Sequence, residues 1–360
     1  MMKFQDFCET VEKNIQNYLP PRYRKAEVMI QKKCKVNLGE MVGISVTMPG
    51  SMIGPIIYLN DYYAQVSHGR MTMEDALGSI AREGAKSLDQ LKNDVIGKVS
   101  LKNLNSWEAM KDKVYLSAVG RTRNEELLKN VPHREMGDIA CTYRIHLMEP
   151  GGSSGSILVT NESMKGYGIT EAQLYQAAVA NTLKNDPPTL NHMSDVIGCI
   201  AVPGAPTEGQ KEKLQSTNLL REEEDRQKDD RDAQGGRDEF SVGDDIPLMV
   251  LTNSSMMMGA ASVFVPGVME KIQEKMPEGF YVLPSSIHEV MIFPKSMGSD
   301  PHELDEMISD INETQVAPDE QLSDLCHEYD ADRKLLVCPT APELNKTKEE
   351  EHTLETSLAL

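Results

Sequence analysis

A short polar cluster between two apolar stretches contains the residue types best suited to a reaction. It lies where one predicted strand, residues 280–283, ends and the next, residues 287–293, begins. A histidine that polarises a serine hydroxyl, with a carboxylate orienting its ring, is an arrangement used for hydrolysis. The cluster therefore yields a hydrolase hypothesis. Its candidate catalytic residues are Ser285, Ser286, His288 and Glu289.

The same cluster has a second interpretation, a polar turn with one half-buried histidine. Successive residues of a strand point to opposite faces, so nearness in sequence does not bring the ring of His288 to either serine. The sequence alone leaves both interpretations open.

Two other patterns resemble catalytic motifs but lack the context that the chemistry needs. Residues 151–155 (GGSSG) match Gly-x-Ser-x-Gly, which requires a strand before the serine and a helix after it, whereas strands are predicted on both sides. His288-Glu289 does not begin a zinc-protease helix, because Ile292 occupies the position of the second histidine. With no two histidines two or four residues apart, the sequence predicts no metal site, and no motif calls for a cofactor.

Polar residues at the ends of other predicted elements could bind an anion or a peptide. One pair precedes two tyrosines, a second follows a proline, and two asparagines each follow a threonine in the similar segments 157–164 and 249–256. Helix capping and turn formation explain these positions equally well. The candidate ligand-binding residues are Asn60, Asp61, His133, Arg134, Asn161 and Asn253.

Charge and composition limit the partners that the chain can have. A formal net charge of −19 repels nucleic acid and anionic membranes, and no apolar run approaches the ~18 residues of a membrane span. Six separated cysteines without a Cys-x-x-Cys pair, and an amino terminus without a signal-peptide pattern, indicate reduced thiols in the cytoplasm. We therefore expect a protein or a small molecule as the partner.

The periodicity of apolar residues predicts an α+β protein, with antiparallel or mixed sheets and flanking amphipathic helices. Residues 139–147 alternate as in a half-buried strand, and residues 260–265 also suggest a strand. Thr170 and Gln173 have the spacing of a capping box at the start of a helix. An opening helix carries its apolar residues on one face, at Phe4, Phe7, Cys8, Val11 and Ile15.

The composition changes abruptly between residues 204 and 245, where charged residues and glycine replace apolar ones. Such a segment cannot bury enough apolar surface to offset the entropy of ordering it. The sequence thus predicts an α+β domain over residues 1–200, a charged flexible linker over 204–245, a second α+β domain over 246–338 and a disordered tail over 339–360. The alternative is one bilobed unit that the charged segment interrupts.

A set of segments together resembles a known family: PIIYLNDYY (55–63), VPHR (131–134), TN (160–161), LTN (251–253), LPSSIHEV (283–290) and VAPDEQLSD (316–324). They are similar to an uncharacterised bacterial family, a domain of unknown function from Gram-positive gut anaerobes. More distantly, residues 160–181 and 261–324 resemble the YtpQ-like family. Neither resemblance implies an activity or a catalytic residue. The resemblance implies only an intracellular bacterial protein.

The absence of a complete catalytic or metal motif favours a non-enzymatic cytosolic binding or regulatory protein. The hydrolase that uses the cluster at residues 285–289 is the alternative. If the regions of Asn161, Asn253 and His288 meet at one pocket, a binding or catalytic site is favoured, whereas dispersed regions favour a plain scaffold.

Overall fold

The computed structural model describes residues 2–49, 51, 54–93, 106–148, 154–194, 196, 219–220, 248–284 and 286–345. The chain divides into two compact units. The first consists of residues 1–106 and 146–157, and the second of residues 107–145 and 158–360. None of the described helices combines the length and apolar character needed to cross a bilayer.

The first unit is a three-stranded antiparallel sheet covered by helices. Its strands, in the order β1-β2-β3, are β1 (Glu27–Lys35), β2 (Gly39–Thr47) and β3 (Ile56–Tyr58). Its helices are α1 (Phe4–Tyr18), α2 (Asn60–Ser67) and α3 (Met73–Asn93). The apolar face predicted for the opening helix is confirmed, because Phe7, Cys8, Val11 and Ile15 are buried and Phe4 packs against them.

A second antiparallel sheet has the order β4-β6-β5, with β7 also paired to β6. Its strands are β4 (Val114–Gly120), β5 (Arg134–Met136), β6 (Ile139–Met148) and β7 (Ser154–Leu158). Three short helices accompany it: α4 (Trp107–Met110), α5 (Glu125–Leu128) and α6 (Asn161–Tyr167). The predicted alternation over residues 139–147 thus lies within one strand.

The next helix, α7 (Glu171–Asn185), begins with the predicted capping box. Thr170 Oγ1 accepts a hydrogen bond from the amide of Gln173, and the Gln173 side chain accepts one from the amide of Thr170. Near the other end, Asn181 Nδ2 donates to the carbonyls of Lys111 (2.7 Å) and Val114 (2.9 Å). These bonds attach the helix to the start of β4.

The largest sheet has six antiparallel strands in the order β13-β12-β10-β11-β9-β8. They are β8 (Pro188–His192), β9 (Met249–Asn253), β10 (Phe280–Leu283), β11 (Val290–Pro294), β12 (His327–Asp330) and β13 (Leu335–Val337). Two helices follow β9 in the chain, α8 (Val268–Lys275) and α9 (Pro301–Gln315). Since β8 pairs with β9, strands from the two sides of the charged segment 204–245 are neighbours in one sheet.

The α+β fold class is confirmed, and two local predictions need correction. Residues 260–265 do not form a strand, because Gly259–Phe264 is a 3-10 helix whose residues are all buried. The strand predicted from residue 287 begins only at Val290, so His288 and Glu289 lie in the preceding loop. Within the predicted tail, Pro342–Asn345 forms a further 3-10 helix. The domain boundaries read from composition stay a prediction.

Candidate binding site at the methionine turn

The end of β9 leads into a tight turn of residues 254–258, which we call the methionine turn. The side chain of Asn253 holds it from both sides. Its Oδ1 accepts a hydrogen bond from the amide of Met257 (3.1 Å), and its Nδ2 donates to the Met257 carbonyl (2.8 Å). One buried asparagine therefore constrains the backbone path of the turn.

Two residues of the methionine turn have a conformation that side chains usually avoid. Met256 and Met258 both have φ of 57°, in the left-handed region. Outside glycine and asparagine this conformation is uncommon, and it persists only where the surroundings enforce it. Between them, Met257 is 61% exposed. The strained turn thus presents a large apolar side chain to solvent.

His288 provides part of that enforcement. Its Nδ1 accepts a hydrogen bond from the amide of Met258 at 3.0 Å, so Nδ1 carries no proton and the proton lies on Nε2. Nε2 faces Oε1 of Glu320 at 3.4 Å. The ring is 22% exposed and the Glu320 side chain 47%. Both ring nitrogens of His288 are therefore engaged with neighbours.

Ser286, a predicted partner of His288, directs its hydroxyl to Glu289 and not to the ring of His288. Ser286 Oγ donates to Oε1 of Glu289 at 2.7 Å and accepts from the backbone amide of His288 at 3.0 Å. Ser286 is itself buried. Three of the candidate catalytic residues thus share one loop, and their bonds join Ser286 to Glu289. Ser285 lies outside the described residues.

Hydrogen bonds attach this loop to β9 and to the segment of Glu320. Thr252 Oγ1 donates to the carbonyl of His288 at 2.8 Å, and the amide of Ile287 donates to the carbonyl of Glu320 at 2.9 Å. A Cβ at Gly259 would stand 2.3 Å from Thr252 Oγ1 and 2.7 Å from the His288 carbonyl oxygen. Glycine is thus required where the turn passes the loop.

Asp186, the C-cap residue of α7, also stabilises the turn. Its carboxylate accepts hydrogen bonds from the amide and the hydroxyl of Ser255, each at 2.8 Å. Burial raises the pKa of this carboxyl, while the bonds from Ser255 act in the opposite direction.

Asn253, a predicted binding residue, and His288, a predicted catalytic residue, both bond to the methionine turn, and Asn161 does not join them in any described contact. Asn161 is the first residue of α6, and its Nδ2 donates to the carbonyl of Lys129 at 3.1 Å. Asn60 and Asp61 begin α2 in the first unit, where Asn60 Oδ1 accepts from the amide of Val42 at 3.1 Å.

His133 and Arg134 belong to a separate, internally paired cluster. The two ring nitrogens of His133 lie 2.8 Å from the Val131 carbonyl and 2.8 Å from Glu135 Oε1. Arg134 donates twice to the carboxylate of Glu171, at 2.8 and 3.0 Å, and its guanidinium lies 3.6 Å from the centre of the Tyr175 ring. The cation and the carboxylate satisfy each other in this cluster.

Sequence reasoning missed Glu320 and the amide of Met258. Glu320 stands 32 residues beyond His288 and reaches it through the loop after α9, so no local pattern reveals the contact. Its segment, residues 316–324, carried a signal only as part of the family resemblance. Among the described residues, no group of three histidine, cysteine or acidic side chains could hold a metal ion.

The fold and this site define an α+β protein with a strained turn held by an asparagine and a histidine. The chain belongs to a family of unknown function, DUF5688, whose model matches residues 4–331. No curated protein and no solved structure shows significant similarity to it.

Proposed function

We propose that this protein is a non-enzymatic binding or regulatory protein, and that the methionine turn is the surface through which it contacts a protein partner. The observation that carries the proposal is the hydrogen bond from the amide of Met258 to Nδ1 of His288. The lone pair of Nδ1, which a general base would need to accept a proton, accepts this hydrogen bond instead. The bond stabilises a strained turn. The ring acts as a support for the turn.

The chemistry of the exposed part fits a protein partner with an apolar recess. Met257 offers a long, flexible and polarisable side chain, of a kind that adapts to irregular apolar surfaces. The rim is polar, because the carboxylate of Glu320 and the ring of His288 stand beside the turn. An apolar anchor inside a polar rim is the usual arrangement of a protein interface.

The setting that we propose is the cytoplasm of a bacterium. The segments that resemble the family from Gram-positive gut anaerobes, and more distantly the YtpQ-like family, support it. The cysteines in the described part of the chain are free thiols, which fits a reducing compartment: Cys8, Cys34, Cys141, Cys326 and Cys338. The net charge of −19 disfavours nucleic acid and anionic membranes as partners.

Photo-crosslinking in the source cells tests the proposed surface. A benzophenone amino acid replaces Met257 and, in a matched control, Met29 of β1, which is also 61% exposed. We expect an adduct with a specific protein from position 257 and none from position 29. Adding His288→Leu should abolish the adduct, because the turn loses its support. Equal labelling from both positions, or none from position 257, would refute the proposal.

A substrate panel distinguishes binding from the hydrolase alternative. The purified protein is assayed with an aryl ester, a peptide anilide and an aryl phosphate, beside Ser286→Ala and His288→Gln variants. We expect no turnover that depends on these residues. Hydrolysis that both variants abolish would replace the binding proposal with the hydrolase.

A further inference from the structure

A groove of about 450 Å³ opens on the surface of the first unit, between the segment that follows α1 and the outer face of α3. Its volume falls within the range of ligand sites, roughly 300–1,000 Å³. Residues 82, 86 and 90 are four apart, so they share one face of α3. The polar side chains of the lining are Arg22, Arg82, Lys86, Asp89 and Gln90.

The two guanidinium groups of the groove are each oriented by neighbouring side chains. Arg22 Nη2 donates to Oδ2 of Asp89 at 2.6 Å, and its guanidinium lies 5.1 Å from the centre of the Tyr23 ring. Arg82 Nη2 donates to Ser79 Oγ at 2.9 Å. A guanidinium has five N–H donors, so each arginine is oriented and still has donors for a ligand. Orientation before binding lowers the entropy cost of binding.

Positive charge exceeds negative charge in the groove. Asp89 is its acidic residue, and that carboxylate already accepts hydrogen bonds from Arg22 and from the hydroxyl of Tyr23. Within the described part of the chain, no carboxylate lies at ion-pair distance from Arg82 or Lys86. A local cationic surface on a chain of net charge −19 runs against the average field of the protein.

The geometry points to a binding site for a small phosphate-bearing anion in this groove. The planar forks of Arg22 and Arg82 match phosphate oxygens in pairs, and Lys86, one turn after Arg82 on the helix, adds a point charge to the lining. A ligand with two negative charges would balance the three cations and the carboxylate. The site is independent of the methionine turn, which lies in the second unit.

Calorimetric titration of the full chain with pyrophosphate at low ionic strength tests the site. We expect saturable binding to one site, weakened about tenfold or more in an R82Q/K86Q double variant. The matched control is K33Q/R70Q, which removes two exposed cations of the same unit with the same change in net charge. That control should bind within about twofold of the natural protein. Thermal melting confirms that both variants are folded.

A gain of affinity provides a second test that misfolding cannot imitate. Asp89→Asn removes the carboxylate while keeping an oxygen for hydrogen bonds, so pyrophosphate should bind roughly threefold more tightly. No saturable binding to the natural protein would overturn the proposal, as would equal weakening in the two double variants. Binding of a hexaglutamate peptide as tight as that of pyrophosphate would instead assign the groove to acidic protein segments.

Discussion

Mild acid should destabilise the second unit through His327, a histidine with no exposed surface on β12. Its Nε2 accepts a hydrogen bond from the amide of Asp138 at 3.0 Å. Burial lowers the pKa of His327 from 6.5 to about 4, although the nearby carboxylates of Asp138 and Asp305 partly oppose the shift. Folding therefore requires the neutral ring.

The sign and size of the effect follow from that shift. The folded state binds its proton less readily than the unfolded state, so the contribution of His327 is complete above pH 6.5. It is lost progressively as the pH falls from 6.5 to about 4. Two and a half pKa units correspond to about 3 kcal/mol of unfolding free energy. A loss of this size is a large part of the stability of an ordinary domain.

Urea unfolding at several pH values between 7 and 4 measures this loss. Trp107, the one tryptophan of the chain, lies in the second unit and reports on it by fluorescence. His327→Gln removes the titration and keeps an oxygen that can accept from Asp138. We expect the natural protein to lose about 3 kcal/mol more than this variant over that range.

The control for that comparison is His302→Gln on the exposed start of α9, which should follow the natural protein. Other carboxyl groups also titrate in this range, and the comparison between variants removes their contribution. Parallel profiles for the natural protein and His327→Gln would refute the reasoning.

Three further predictions concern a tightly packed glycine, an ion pair and the reactivity of two thiols. Gly259→Ala should lower the free energy of unfolding, measured with urea, by about 2–3 kcal/mol, because its Cβ would stand 2.6 Å from a backbone nitrogen. Gly166→Ala, with open space around it, should change this free energy little. Glu171→Gln should cost roughly 1–2 kcal/mol in the same assay, since it leaves the half-buried cation of Arg134 with a neutral partner. Burial raises the pKa of Cys338 to about 12, so its thiol should not react at pH 8. Iodoacetamide should label the partly exposed Cys34 and should label Cys338 only after urea unfolds the chain. Peptide mass mapping measures both reactions. Rapid labelling of Cys338 in the folded protein, or unfolding midpoints that do not change, would contradict these expectations.

Local patterns predicted the elements whose cause is local. The capping box at Thr170 and Gln173 needs only residues three apart, and the alternation over residues 139–147 reflects the two faces of one strand. The error at residues 260–265 has a tertiary cause. Gly259 must pass within reach of Thr252 and the His288 carbonyl, and this close packing turns the following small residues into a buried 3-10 helix.

The charged segment at residues 204–245 shows the limit of composition as evidence. Low apolar content identifies a segment that cannot bury much surface, because the amount of apolar surface depends directly on composition. It does not indicate which strands pair across the segment. That pairing depends on contacts between residues such as Leu190 of β8 and Leu251 of β9, 61 positions apart. The pairing fits the alternative in which the segment interrupts one unit.

The two Thr-Asn pairs, at residues 160–161 and 252–253, show the same limit at the candidate site. Thr160 caps α6 by accepting from the amide of Ser163, and Asn161 is the first helical residue. Thr252 lies in β9 and donates to the His288 carbonyl, while Asn253 closes the methionine turn. After the first pair, Glu162 continues into the helix α6. After the second pair, residues 254–258 form the methionine turn. The repeated dipeptide therefore does not indicate a repeated function, and the proposed binding surface depends on the residues that follow Asn253.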